Sequence, residues 1–446
     1  MTKTLLKIFS FILLLSAAIT AMLLLNLNKN RENTGATSVQ VEESNDTFET
    51  AMKAVRNDSF EGSGRVYEAE EGDELSEIIS DLKAGDTLLL KTGDYREILD
   101  ISGLHGTEDN YITLEAAPGA APVFDGSGLS EASDDPALPD GPVMIRLSDC
   151  SYVRLSGISI AHAEGQSACG IYVEPGCDHL IIDNCSMEDI TVPDPSVEDH
   201  CANGILLFGD SAKEAIEDIF IYKNTIKNCA TGWAECISVA GHVTNVTVEG
   251  NTIDNTGNIG IDFTGNYSYC PDPSKDFPVS CEAIGNTVKN CKSAYATSYG
   301  LYVDGAQEIE FRDNTIIACS GGIEVGAEEP QKSDEYATCK ILVAGNKISD
   351  CPEAGITIGG YETNLGWVKG VTVRENTCKN SGTDPEGAIL TLSKCRGIRI
   401  ENNIFEAASD KTLFVRSEMG KKWTKDIIFR GNTYKTANSD EYAILW

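Results

Sequence analysis

Short runs in which apolar residues alternate with polar ones recur through most of the chain, and glycine brackets many of them. GILLFG at 204–209, CISVAG at 236–241, GIDFTG at 260–265, GLYVDG at 300–305, GIEVGA at 322–327 and GITIGG at 355–360 share one form. A period of two predicts strands with one face buried. A second set opens on asparagine: KNTIKNC at 223–229, GNTIDNT at 250–256, GNTVKNC at 285–291, DNTIIAC at 313–319, GNKISDC at 345–351, ENTCKNS at 375–381, NNIFEAA at 402–408 and GNTYKTA at 431–437. Successive asparagines from Asn224 to Asn432 lie 27 to 35 residues apart, and the fifth residue after each is Cys, Thr, Ser or Ala. Units of two or three short strands with no helix cannot bury an apolar face alone, so each must stack on the next. Near the start, ELSEIISDLK at 74–83 puts Leu75, Ile78, Ile79 and Leu82 on one helical face, which predicts a short helix closing the first turn of the stack.

These units resemble the right-handed parallel β-helix of pectate lyases and related polysaccharide-acting proteins. The entry segment, AGDTLLLKTGDYRE at 84–97 and GTEDNYITLEAAPGAAPVFDGSG at 106–128, resembles the start of the extracellular members. The resemblance covers nearly all of residues 61–446 and implies an all-β solenoid with a capping helix. Such solenoids host lyases, hydrolases, epimerases and adhesins, so the resemblance leaves the chemistry open. No motif here carries over a catalytic residue from a particular family.

Two features of the repeat have structural explanations. Stacked asparagine amides satisfy one another and the backbone, and cysteines in the small-residue column act as compact apolar fillers. The 15 cysteines include no CxxC pair of the kind that holds zinc. Cys270 and Cys281, which flank an insertion between two turns, are the candidate disulfide.

The chain carries a formal charge of −34, and its first 30 residues hold three lysines and no acid. This acidity argues against nucleic acid as a partner. An acidic polymer is repelled as well, unless a bound cation reverses the local field. Lys3 and Lys7 precede an uncharged run of 20 residues from Ile8 to Leu27, which predicts an exported protein with residues 1–30 as signal peptide or membrane anchor. Residues 31–60 are expected to form a flexible polar linker, and residues 61–446 a monomeric extracellular or cell-surface solenoid touching the membrane only through its N-terminal segment.

With apolar residues pointing inward, one outward column reads Tyr172, Leu206, Ser238, Asp262, Tyr302, Glu324, Thr357. Its neighbour reads Glu174, Phe208, Ala240, Thr264, Asp304, Gly326, Gly359. Asp262, Asp304 and Glu324 are thus expected together on a solvent-facing groove kept low by glycines, with Tyr302 among them. Carboxylates this close favour a shared hard cation, so Ca²⁺ is the expected cofactor, held by Asp262, Asp304, Glu324 and the loop residue Glu328. Calcium then mediates contact with an acidic polysaccharide, and β-elimination on a uronate follows, with Lys275 as the base and His242 beside the groove. Two alternatives remain: a glycoside hydrolase using two of the three carboxylates, and a non-catalytic glycan-binding protein.

Overall fold

A computed structural model describes residues 47–130, 141–436 and 444–445 of the chain. The apolar run at 8–27 and most of the expected linker lie outside the described residues. The chain divides into two units, residues 1–53 and 54–446, and the description below concerns the second. Thr47–Arg56, within the expected linker, is helical, and its last residue is fixed: Arg56 donates to the Glu249 carboxylate at 2.7 Å and lies 4.9 Å from the centre of the Phe220 ring. Among the described residues no helix is long and apolar enough to cross a membrane.

From Val66 onward the described residues wind as a right-handed parallel β-helix. Each turn contributes one strand to each of three parallel sheets, which hold 13, 12 and 12 strands among the described residues. Sheet I runs from Val66–Ala69 to Thr424–Arg430, sheet II from Gly93–Tyr95 to Thr433–Thr436, and sheet III from Leu99–Ser102 to Ile444–Leu445. All strand pairs within the sheets are in register and parallel. In sheet III the inward column Ile205, Ile237, Ile261, Leu301, Ile323, Ile356, Leu390 is continuous and wholly buried. Burying each such side chain contributes about 1.5–3 kcal/mol. The predicted cap is present as the helix Leu75–Ser80, with Leu75, Ile79 and the following Leu82 buried and Ile78 packed on the core.

The asparagines form an unbroken ladder between sheets I and II. Each amide donates to the oxygen of the next, at 2.9–3.0 Å from Asn224 through Asn251, Asn286, Asn314, Asn346, Asn376 and Asn403 to Asn432. The same oxygen also accepts the backbone N–H of the asparagine below, as between Asn286 and Asn251. The residue before each asparagine takes a left-handed conformation. Gly250, Gly285, Gly345 and Gly431 do so freely, whereas Lys223, Asp313, Glu375 and Asn402 adopt it against steric preference. The small-residue column is interior from Cys229 to Ser381.

All 15 cysteines are unpaired. The expected Cys270–Cys281 bridge does not form, because Cys281 points into the solenoid core whereas Cys270 sits in the outer insertion, where its N–H donates to Asp276.

Replacing Asn286 by Leu should lower the unfolding free energy by several kcal/mol, since the Asn251 amide and backbone N–H would lose their acceptor where no water reaches; each orphaned group costs about 1–3 kcal/mol. The same change at half-exposed Asn432 should cost less. Equal losses at the two positions in urea denaturation would contradict a ladder whose worth depends on burial.

Candidate active site

Sheet III brings the two expected outward columns into register. Asp262 pairs with Tyr302, Tyr302 with Glu324 and Glu324 with Thr357; Asp304 pairs with Gly326. The expectation that this face is an open groove is not met. Asp262, Asp304, Glu324 and Tyr302 are 1–4% exposed, because three loops fold over them. One is the insertion between the strands Ile261–Thr264 and Val279–Ile284; the others follow Gly321–Gly326 and Ala354–Ile358. Of the glycines that were to keep the groove low, Gly326 lies under a tyrosine ring, as does the neighbouring Gly321, whereas Gly359 packs on the Ser393–Lys394 backbone. A Cβ on Gly326 would fall 2.6 Å from the Tyr302 hydroxyl, and one on Gly321 would fall inside the Tyr299 ring.

The site therefore has two layers. The floor holds Asp262, Asp304 and Glu324. Above it stand half-exposed side chains from the loops: Tyr267, Tyr269, Glu328 and Tyr361, with Glu235 from the turn before Ile237–Gly241. Asp276, itself buried, shapes the insertion by accepting the backbone N–H groups of Ser268 at 2.6 Å and Cys270 at 2.8 Å. Tyr267 and Tyr269 then stack at 5.5 Å and 14°, and Phe208 meets Tyr269 edge-on at 5.0 Å. The result is an aromatic strip across three turns.

Tyrosine hydroxyls join the layers. Tyr302 donates to Glu328 Oε1 at 2.8 Å, and Tyr361 donates to Glu324. Tyr267 Oη lies 2.6 Å from Asp304 Oδ2 and 3.3 Å from Glu328 Oε2, while the Glu328 N–H donates to Asp304 Oδ1 at 2.8 Å. With both acids ionised, the one phenolic proton serves chiefly the shorter contact, to Asp304. Both contacts become hydrogen bonds if Asp304 is protonated and donates to Tyr267 Oη, with Tyr267 donating onward to Glu328.

The electrostatics agree. Burial, then the Glu328 charge, pushes the Asp304 carboxyl up to about 8, and the same causes push Glu235 up to about 7. Burial raises Asp262 well above the carboxylate range, reinforced by Glu235, Asp304 and Glu328. Glu324 is raised by burial against the opposing Tyr361 hydrogen bond. Asp262 accepts from Thr264 Oγ1 through Oδ2, but its buried Oδ1 has no partner.

The remaining expected residues point elsewhere. Lys275 Nζ donates to the Ala212 carbonyl at 2.7 Å, and His242 Nδ1 lies 2.7 Å from the Ser211 carbonyl. Among the described residues no three His, Cys, Asp or Glu side chains converge as a metal-binding group. The sequence reading missed Glu235, Tyr267, Tyr269 and Tyr361. Glu235 alone left a signal, an acid immediately before a repeat strand, whereas the tyrosines lie in segments outside the repeat.

A family model described as "Right handed beta helix region" matches residues 143–335. The chain is a right-handed parallel β-helix protein. This β-helix is 29% identical over 349 residues to the uncharacterized protein YwoF of Bacillus subtilis (strain 168), covering 75% of this chain and 70% of that one. Among solved structures it resembles the family 28 exopolygalacturonase of Yersinia enterocolitica, with a TM-score of 0.56, 9% identity and coverage of 85% of this chain and 79% of that one. It also resembles the GH136 lacto-N-biosidase of Eubacterium ramulus, with a TM-score of 0.50, 14% identity and coverage of 86% and 69%.

Because Asp304 is pushed up to about 8 in the folded protein whereas the unfolded chain titrates near pH 4, this group's contribution to stability should fall as pH rises from about 4 to about 8. Asp304→Asn, which cannot ionise, should raise Tm relative to wild type at pH 8 and lose that advantage at pH 4–5. A constant offset across this range would show that Asp304 is ionised throughout.

Proposed function

We propose that this β-helix is an exported carbohydrate-active enzyme that cleaves a glycan by hydrolysis, with Glu235 as proton donor and Glu328 as its partner carboxylate. The observation that carries this reading is the aromatic strip Phe208–Tyr269–Tyr267 beside two half-buried carboxyls over a buried acidic floor. Aromatic faces suit the apolar faces of pyranose rings. A carboxyl raised to about 7 is still substantially protonated at neutral pH and can donate to a leaving glycosidic oxygen. Glu328 is oriented by Tyr302 and Tyr267 to receive a proton from water or to attack the sugar, and Asp304 beneath them anchors the Tyr267 hydroxyl. Asp262 and Glu324 complete the floor. The shared fold with an exopolygalacturonase and a lacto-N-biosidase supports a glycan as substrate class, and the apolar run at 8–27 supports export.

Calcium-assisted elimination on a uronate is the second reading. The orphaned Asp262 Oδ1 favours it, since a cation among these acids would satisfy that atom. It would require the carboxylates to draw together, and Lys275 to leave the Ala212 carbonyl before acting as a base.

Activity on a panel of plant and host oligosaccharides should appear as reducing ends without unsaturated uronide absorbance. Glu235→Gln and Glu328→Gln should each lower kcat by at least about a hundredfold, Tyr267→Phe should lower it less, and the rate should fall above about pH 7 as Glu235 loses its proton. Ultraviolet-absorbing products would replace hydrolysis by elimination.

Calcium separates the readings independently. If the floor binds it, millimolar Ca²⁺ raises Tm and Asp262→Ala removes the shift. No shift in wild type would dismiss calcium from this site.

A further inference from the structure

The C-terminal turns reverse the charge of the rest of the protein. Residues 394–436 carry ten Lys and Arg against five Asp and Glu, in a chain of formal charge −34. The excess is organised by the fold. On the outer side of sheet I, Lys369, Arg396 and Lys425 occupy one register column across three turns. Trp367 and Trp423, each one residue before a strand of that sheet, lie 5.8 Å apart. Lys394, only 3% exposed, places its ammonium 5.5 Å from both ring centres. It also donates to the Thr363 and Leu365 carbonyls, which fixes the loop that carries both Trp367 and Tyr361. Lys422 lies 5.0 Å from the Trp423 ring and Lys425 5.4 Å from Trp367.

Part of this charge is answered. Asp334 pairs with Lys369 and with Arg396, the latter at 3.0 Å. Lys422, Lys425 and Arg399 are exposed and have no carboxylate partner among the described residues. They have no counterpart in the mechanism above.

We propose that this patch is a second glycan-binding site, distinct from the catalytic face, that holds a carboxylate-bearing polysaccharide. Charge complementarity selects an anionic ligand. The geometry selects a linear one: strands of neighbouring turns are about 4.8 Å apart, close to the length of one pyranose residue, so Arg396, whose guanidinium keeps donors beyond its pair with Asp334, and the unanswered Lys425 on the next turn match carboxylates of neighbouring sugars. The half-buried indoles beside that column carry Lys394, Lys422 and Lys425 over their faces and so hold the cations in place. In a protein of this net charge, only such a local reversal of sign lets an acidic polymer approach. The loop 359–367 connects the two places, with Tyr361 bonded to the catalytic floor and Trp367 in the patch. A chain held here lies beside the catalytic face, but its retention does not depend on turnover.

Affinity electrophoresis of the full-length protein in polygalacturonate, with its fully methyl-esterified form as neutral control, tests the proposal. A Glu235→Gln, Glu328→Gln background removes turnover by the proposed catalytic pair, so retention that persists in it is independent of the catalytic reading. We expect retardation by the acid and none by the ester, weakening with salt. Lys422→Glu with Lys425→Glu should weaken binding about tenfold, which is about 1.4 kcal/mol, while Lys213→Glu, the same charge change on an exposed residue outside the patch, should leave it within twofold. Circular dichroism of each variant checks folding. Equal retardation of the patch variant and wild type, or an effect of Lys213→Glu as large, would overturn the proposal. So would retention by phosphatidylglycerol vesicles without retention by polygalacturonate, which would make the patch a membrane contact.

Discussion

The hydrogen-bonded register of each turn on the next is the constraint from which everything else in this molecule follows. Each turn of two or three short strands has no interior of its own. Pairing in register closes the core column by column, and the asparagine ladder pins the corner between sheets I and II at every turn from Asn224 to Asn432. Because parallel pairing is strict, an outward residue has a defined neighbour one turn above and below. Chemistry in a solenoid is therefore read up the stack, and residues 20 to 40 apart in sequence become adjacent.

The same constraint forces acids together, and the protein resolves the conflict with protons and hydroxyls. Asp262 and Glu324 flank Tyr302 on successive strands, and Asp304 follows two residues later on the middle one. Covering them with loops removes water from groups that would otherwise stay ionised, so burial raises each of them. Tyrosines from outside the repeat then bridge floor to surface. Glu235 and Glu328 stay at the rim, and Glu328 is oriented there by Tyr302 and by Tyr267, whose hydroxyl also rests on Asp304 of the floor. Burial thus sets both the placing of the rim carboxyls and the direction in which the floor acids are shifted.

Loops that leave the repeat carry the specialised surface. The insertion after Thr264 supplies Tyr267 and Tyr269, the segment after Gly326 supplies Glu328 and Asp334, and the loop after Ile358 supplies Tyr361 and Trp367. Buried polar groups fix these segments from within: Asp276 for the first, and Lys394 for the last. The solenoid provides the spacing and the loops provide the contacts.

Much of the fold was legible in the chain. The alternation of apolar residues, the recurrent asparagine and the small residue five positions on assign many strands of sheets II and III from residue 204 onward, with their inward face and register, because these are properties of a local period repeated turn by turn. The column Asp262, Tyr302, Glu324 was likewise readable, since register alone decides it. What covers that column was not. The expected open groove became a roofed floor because the covering tyrosines lie in insertions with no period, and their positions depend on contacts such as Asp276 to Ser268 that span several residues of irregular chain. Cys281 and Cys270 illustrate the same limit: proximity in sequence suggested a bond, but one side chain belongs to the core and the other to the roof. The periodic sequence by itself determined which residues share a face, whereas only the tertiary structure decided which carboxyls are buried and which meet solvent, because burial depends on what the aperiodic loops lay across that face.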